Sequence, residues 1–340
     1  MPLAVKITQH AKARPGLPRL LSAIFGNGIS EEYSMAYLLA IAFALLAPAV
    51  AQASETVSYN DKLKEALPGF EMPAAWLRSH PPFRVVGNVY GVGGFDLATY
   101  LITSSEGHIL INTGIEGSID DISANIDALG YDIADVKILL SMQSHFDHTA
   151  DLARIKEETG AKMYATAPDV RVLEDGGFSD PHFGGLETFR PIKVDRVLKD
   201  GEVIELGEIK LSVHYHPGHT EGSSSYGMKV RENGKTYNVL IANMGTINPG
   251  KKLLVEPTYP GVSEDFATTY RTQKAMPVDI WVAAHKSQYG FYYKYDRAKP
   301  YSPETFVDPE GFVDAVENLE AIYRVQLRQE AKENEAATGN

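Results

Sequence analysis

Cysteine is absent from all 340 residues. That removes disulfides, thiolate metal sites and cysteine nucleophiles together, and leaves His, Asp and Glu as the strong metal donors available. It does not fix the compartment, because exported proteins also fold without disulfides. Positive charge is in short supply: 32 Lys and Arg stand against 44 Asp and Glu, a formal net charge of −12. A chain of this sign is not expected to wrap nucleic acid, and its acidity favours solubility. Membrane-length apolar runs are missing too. Residues 35–48 are the apolar stretch near the start, and they fall short of the roughly 20 residues that a span needs.

That short run is followed by Ala51-Gln52-Ala53, a small-residue cleavage pattern. Residues 1–53 therefore read as an N-terminal extension plus secretory signal peptide, with 35–53 as its core. Cleavage after Ala53 leaves a periplasmic or secreted domain with no stable membrane insertion. An uncleaved anchor is the competing reading, disfavoured by the missing stop-transfer charges. Met35 is an alternative start, although the segment it begins has no basic region before its apolar core. Residues 54–81 are expected to be a lead-in, 82–330 one domain, and 331–340 a charged, disordered tail. The chain is 44% hydrophobic, ample for a core, and no Pro/Ser linker divides it.

From Pro82 onward the pattern is strand-rich. Residues 83–86 and 88–92 are β-branched and aromatic between glycines, and 98–102 and 108–112 pair around a Ser-Ser-Glu-Gly turn. Residues 118–129 predict a helix capped by Ser118, with Ile119, Ile122, Ile126 and Leu129 on its apolar face. Further strands are expected at 136–140, 162–165, 202–206, 209–216, 239–242 and 280–283. A glycine-rich stretch over 174–190 reads as a long functional loop. The tail predicts a helix with Asp308 as cap and Pro309 at its first position, fraying after about Glu330.

The chemistry concentrates where the strand 136–140 ends. Ser141-Met142-Gln143-Ser144-His145-Phe146-Asp147-His148 puts two imidazoles and a carboxylate into four positions, a donor set that suits zinc. A lone histidine at a strand end is usually a surface or satisfied core residue, but this cluster does not stand alone. His219 lies in the glycine-bracketed turn after 209–216, and His285 ends the apolar strand 280–283. Strand, histidine, turn is thus repeated three times, and ordinary packing gives no reason for the repetition. His214 and His216 compete with His219, and read as supporting or structural because they lack its glycine freedom. His182 is expected to hold the 174–190 loop, and His10, His80 and His108 have no site-like context.

Together, His145-Phe146-Asp147-His148, Gly218-His219-Thr220 and the strand-end His285 resemble the metallo-β-lactamase superfamily. Residues 82–93, 179–184, 194–201 and 306–309 are similar to its subclass B3, which also fits a chain without cysteine. The resemblance runs from about Pro82 to Glu330. It implies an α/β, four-layer αββα fold, two β-rich halves with helices outside. It also implies a zinc-dependent hydrolase of small-molecule β-lactams, in which zinc-bound hydroxide attacks the carbonyl and zinc stabilises the leaving nitrogen. By the same resemblance Gln143, His145 and His219 hold one zinc, and Asp147, His148 and His285 the other. Asp147 also handles the proton, and Thr246 binds the substrate carboxylate. Two departures stand out. Gln143 occupies the place of the family's first histidine, and Met244 the place of a serine; together they resemble a minority branch of subclass B3. An amide oxygen is a weaker donor than imidazole, so one tight zinc and one weaker zinc are expected. Another hydrolase of the fold, such as an acyl-homoserine lactonase or a thioester hydrolase, and a zinc-binding protein without catalysis are the alternatives.

Overall fold

Apolar residues on both faces of the early strands dictate the layering. In β3 (Tyr100–Ser104), β4 (Gly107–Ile111) and β5 (Val136–Leu140), Tyr100, Ile102, Ile109, Ile111, Ile138 and Leu140 enter one core cluster. Their neighbours Leu101, Leu110 and Leu139 enter a second. Side chains alternate across a strand, so a sheet apolar on both faces must be covered on both. In this computed structural model the described residues are 58–66 and 69–338. The signal-peptide reading and His10 lie outside them. Among the described residues no helix is long and apolar enough to cross a membrane.

The first sheet also contains β1 (Phe83–Val86), β2 (Val89–Gly91), β6 (Lys162–Thr166) and β7 (Arg196–Leu198), in the order β1-β2-β3-β4-β5-β6-β7. Its first half is an antiparallel meander, and β4 through β7 run parallel. The second sheet has the order β12-β11-β10-β9-β8. Its strands are β8 (Val203–Leu206), β9 (Ile209–Tyr215), β10 (Ser224–Glu232), β11 (Lys235–Ala242) and β12 (Ile280–Ala283), antiparallel except for β11–β12. One apolar core fills the space between the sheets. Helices α2 (Ser118–Ala128) and α3 (Leu152–Thr159) supply Ile119, Ile122, Ile126, Leu152 and Ile155 to the outer face of the first. Helices α5 (Val262–Lys274) and α6 (Pro309–Thr338) bring Phe266, Tyr270, Phe312 and Val316 to the second. The four layers are helix, sheet, sheet, helix.

Several local expectations are corrected. Ser118 does not cap α2. Gly117 holds the cap position at φ 90°, and the Asp151 carboxylate accepts from the Ile119 amide at 2.7 Å and the Gly117 amide at 3.3 Å. A carboxylate from another segment therefore meets the positive helix end. The C-terminal helix does not stop near Glu330, and the tail expected to be disordered is helical through Thr338. Glu330 is pinned, accepting from the Leu253 and Leu254 amides, and Gln329 pairs with Glu333 one turn on. The lead-in carries helix α1 (Tyr59–Ala66), whose Leu63 is fully buried with Phe70, Met72 and Trp76 packed on the same cluster. β10 and α5 have no counterpart in the sequence reading. β10 opens on two serines, and α5 has only three large apolar residues on its buried face.

β4, β5, β6, β9, β11 and β12 share a direction, so their C-terminal ends gather at one edge. Four contacts lock the sheets together there. Tyr100 Oη donates to the Ala283 carbonyl at 2.7 Å, and the Ala98 amide to Ala284 at 3.0 Å. Tyr226 Oη donates to the Ser141 carbonyl, and the Ser224 amide to Met142, both at 2.8 Å.

Candidate metal centre

His145 closes an extended segment after β5 at φ −76°, ψ 152°, and Asp147 and His148 lie in the one-turn helix Phe146–Thr149 that follows. Thr149 Oγ1 donates to the His145 carbonyl at 2.9 Å and fastens the turn. Asn112, at φ 63°, steadies it from β4. Its Oδ1 accepts from the Met142 amide at 2.9 Å, and its Nδ2 lies 3.4 Å from His148 Nδ1. Asparagine is among the few residues that tolerate this left-handed conformation. His219 arrives on the turn after β9. Gly218 before it has φ 126°, and a Cβ there would lie 2.7 Å from the Phe266 ring, so only glycine lets the turn pack. His285 follows β12 and bridges back to Leu97.

These elements produce two donor groups. His148 Nε2 and His285 Nε2 lie 3.1 and 3.4 Å from the same oxygen, Asp147 Oδ2. His145 Nδ1 lies 3.2 Å from His219 Nε2. Two nitrogens on one tetrahedral zinc at 2.0–2.1 Å are about 3.3 Å apart, so this spacing already suits a shared ion. All but one of these imidazoles turn the other nitrogen to an acceptor. His285 Nδ1 faces Asp96 Oδ2 at 3.1 Å, His219 Nδ1 donates to the Thr246 carbonyl at 2.8 Å, and His145 Nε2 faces Asp180 Oδ2 at 3.4 Å. Such partners fix the tautomer and raise ligand basicity. One atom supplies an independent test of fit. Gln143 Oε1 is buried with no hydrogen-bond partner, although buried polar atoms are normally satisfied. Zinc fits this donor set.

Electrostatics follow the geometry. Burial pushes the Asp147 carboxyl up, but the imidazoles of His148 and His285 overcome it and hold Asp147 well below the usual carboxylate range. Burial lowers His219, further lowered by His145, and lowers His148, which keeps both rings neutral and ready to donate a lone pair. For His285, burial opposes the charge, yet hydrogen bonds to the Asp147 and Asp96 carboxylates push it up to about 9. Asp96 is itself lowered to about 2, since His285 and the Ser287 amide overcome its burial. A cavity of about 150 Å³ opens beside the His145–His219 pair, with Asp169, Asp180, His182 and Lys251 in its wall.

The structure brings His145, Asp147, His148, His219 and His285 together, with Gln143 buried at the end of the same β5 segment. Thr246, given the substrate carboxylate by the resemblance, has its Oγ1 3.0 Å from His219 Nδ1, the ring nitrogen that also donates to the Thr246 carbonyl. His216 is structural, 2.6 Å from Ser225 Oγ, and His214 stacks on it. His182 holds the loop through its amide, which donates to Asp180 Oδ1, rather than through its ring. Asp96, Asp180 and Asn112 support the centre although the sequence reading gave them no role. Asp180 alone stood inside a segment singled out for its composition.

The profile of the metallo-beta-lactamase superfamily matches residues 92–231. The metallo-beta-lactamase GOB-18 from Elizabethkingia meningoseptica is 42% identical, with a TM-score of 0.74 over 76% of this chain and 97% of its own. The class B3 di-zinc metallo-beta-lactamase LRA-12 from an Alaskan soil metagenome is also 42% identical, at 0.74 over 76% and 98%. A beta-lactamase from Chitinophaga pinensis is 39% identical, at 0.75 over 77% and 99%. With this fold, these donors and this breadth of similarity, the chain belongs to the metallo-β-lactamase superfamily and, within it, to subclass B3.

Proposed function

We propose that the chain hydrolyses the amide bond of β-lactams with two zinc ions, one held by Gln143, His145 and His219 and the other by Asp147, His148 and His285. The observation that carries this reading is the pair of adjoining donor groups, each with its donor atoms 3.1–3.4 Å apart, beside the unpartnered buried Gln143 Oε1. When bound, zinc supplies a water acidified to a pKa of about 7 and a Lewis acid for developing negative charge. Asp147, kept ionised, orients the attacking water and takes its proton on the carboxylate oxygen turned away from the two imidazoles. His285 is held in register by Asp96, and His145 by Asp180. Trp76, whose ring centre is 5.6 Å from that of His285, and Phe183, 5.0 Å from His145, form apolar walls that limit water at the centre. The Asp147 set, with its anionic donor, binds the tighter ion, and the Gln143 set the weaker.

A lactonase reading is less well supported, because those enzymes place a metal-bridging aspartate near position 243. Here Asn243 is buried, its amide donating to Ser225 Oγ and its carbonyl accepting from Gln273. Purified protein should hydrolyse nitrocefin, lose that activity to dipicolinate or EDTA, and ignore clavulanate. Turnover that survives exhaustive chelation rejects the zinc reading, and lactone turnover without nitrocefin turnover favours the alternative. We also propose export, with mature protein beginning near Ser54; N-terminal sequencing of periplasmic material checks it.

A further inference from the structure

The loop between α4 (Ala167–Glu174) and β7 has no regular structure, yet it is wound around a single side chain. Asp180 is 5% exposed and uses both carboxylate oxygens. Oδ1 accepts from the amides of His182 and Phe183, each at 2.7 Å, closing a tight turn. Oδ2 faces His145 Nε2 at 3.4 Å. The turn leaves no slack. A Cβ on Gly184 would sit 2.1 Å from the Asp180 carbonyl oxygen, and the Gly185 amide donates to Phe178 at 2.8 Å. Phe183, set by Asp180, then packs edge-on against His145, with ring centroids 5.0 Å apart.

We infer that Asp180 is a positioning residue that couples the conformation of the 175–190 loop to occupancy of the Gln143/His145/His219 metal site. The inference rests on the proposed zinc assignment at that site. His145 Nδ1 faces His219, so an ion there withdraws electron density through the ring and strengthens the Nε2–H bond to Asp180. That bond draws on the same carboxylate that holds the His182 and Phe183 amides. Filling the site therefore tightens the loop, and an ordered loop raises the site's affinity by the same factor, since coupling between two sites is reciprocal. The coupling matters most for this donor set. With an amide oxygen in place of a third imidazole, the set depends on the basicity that Asp180 lends to His145.

Asp180→Asn separates the two duties. The amide oxygen still accepts from His182 and Phe183, but Nδ2 cannot accept from His145. Zinc titration of the full chain should show the weaker equivalent loosened about 10–100-fold and the tighter one unchanged. Hydrogen exchange at residues 182–185 should slow in the unmodified protein as the second equivalent binds, and should not respond in the Asn variant. Gly184→Ala disturbs the loop without touching His145, and should also loosen the weaker equivalent. An unchanged second equivalent in Asp180→Asn, or loop exchange indifferent to that equivalent in the unmodified protein, overturns the coupling while leaving the zinc assignment standing. A chain that takes up no second zinc overturns both.

Discussion

Asp147, His148 and His285 converge on one carboxylate oxygen, whereas His145 and His219 converge only on each other. Both groups have a carboxylate behind an imidazole: Asp96 behind His285, Asp180 behind His145. Only one group has a carboxylate in front. Two imidazoles and an amide oxygen bring no negative charge to a divalent ion, while the Asp147 group brings one full charge held ionised by its neighbours. One strand-end scaffold thus carries two adjoining donor groups of unequal charge, and the proposed two-zinc reading turns on that difference.

Breaking the charged group should have the largest effect. Asp147→Ala or His285→Ala should remove the tight zinc and lower kcat/KM by at least about 10³-fold, as losses from groups that act together usually do. Metal analysis after dialysis and nitrocefin kinetics check both. His219→Ala should cost less metal, leaving close to one equivalent bound. Asp96→Ala tests the support behind the charged group. It should weaken the tight equivalent about 10–100-fold while circular dichroism stays unchanged. Equal loss of both equivalents in that variant would mean that Asp96 supports the fold rather than His285.

The smallest effect expected lies outside both groups. Burial lowers His216 to about 3, with His214 adding to the shift. The unfolded chain protonates this histidine near 6.5, so the neutral ring contributes stability fully above that pH. The contribution falls away as pH drops from about 6.5 toward 3, by at most about 1.4 kcal/mol per pH unit. Urea midpoints at pH 7 and pH 5 should therefore converge more in His216→Asn than in the unmodified chain.

Most of the proposed ligand set was legible because its signal is local. His145, Asp147 and His148 crowd four positions, and His219 and His285 each follow an apolar strand at a turn. The supports were not legible. Asp96 meets His285 across 189 residues, a pairing created by the tertiary Leu97–His285 bridge and the Ala98–Ala284 bond beside it. Asn112 looks like the last residue of a strand until its left-handed backbone turns the amide toward Met142 and His148. The cap of α2 failed for the same reason: Asp151 reaches the helix end from 32 residues away at Ile119, while Ser118 satisfied the local rule. For Thr246 the resemblance suggested substrate contact, and the geometry adds a hydroxyl 3.0 Å from His219 Nδ1.

Zinc titration of the unmodified chain beside Gln143→His tests the central comparison most directly. The account predicts one tight and one loose equivalent in the unmodified chain, with the loose one tightened and the tight one unmoved by the added imidazole. Two equally tight equivalents, unchanged by Gln143→His, would contradict the unequal sites and with them the ranking of the two donor groups.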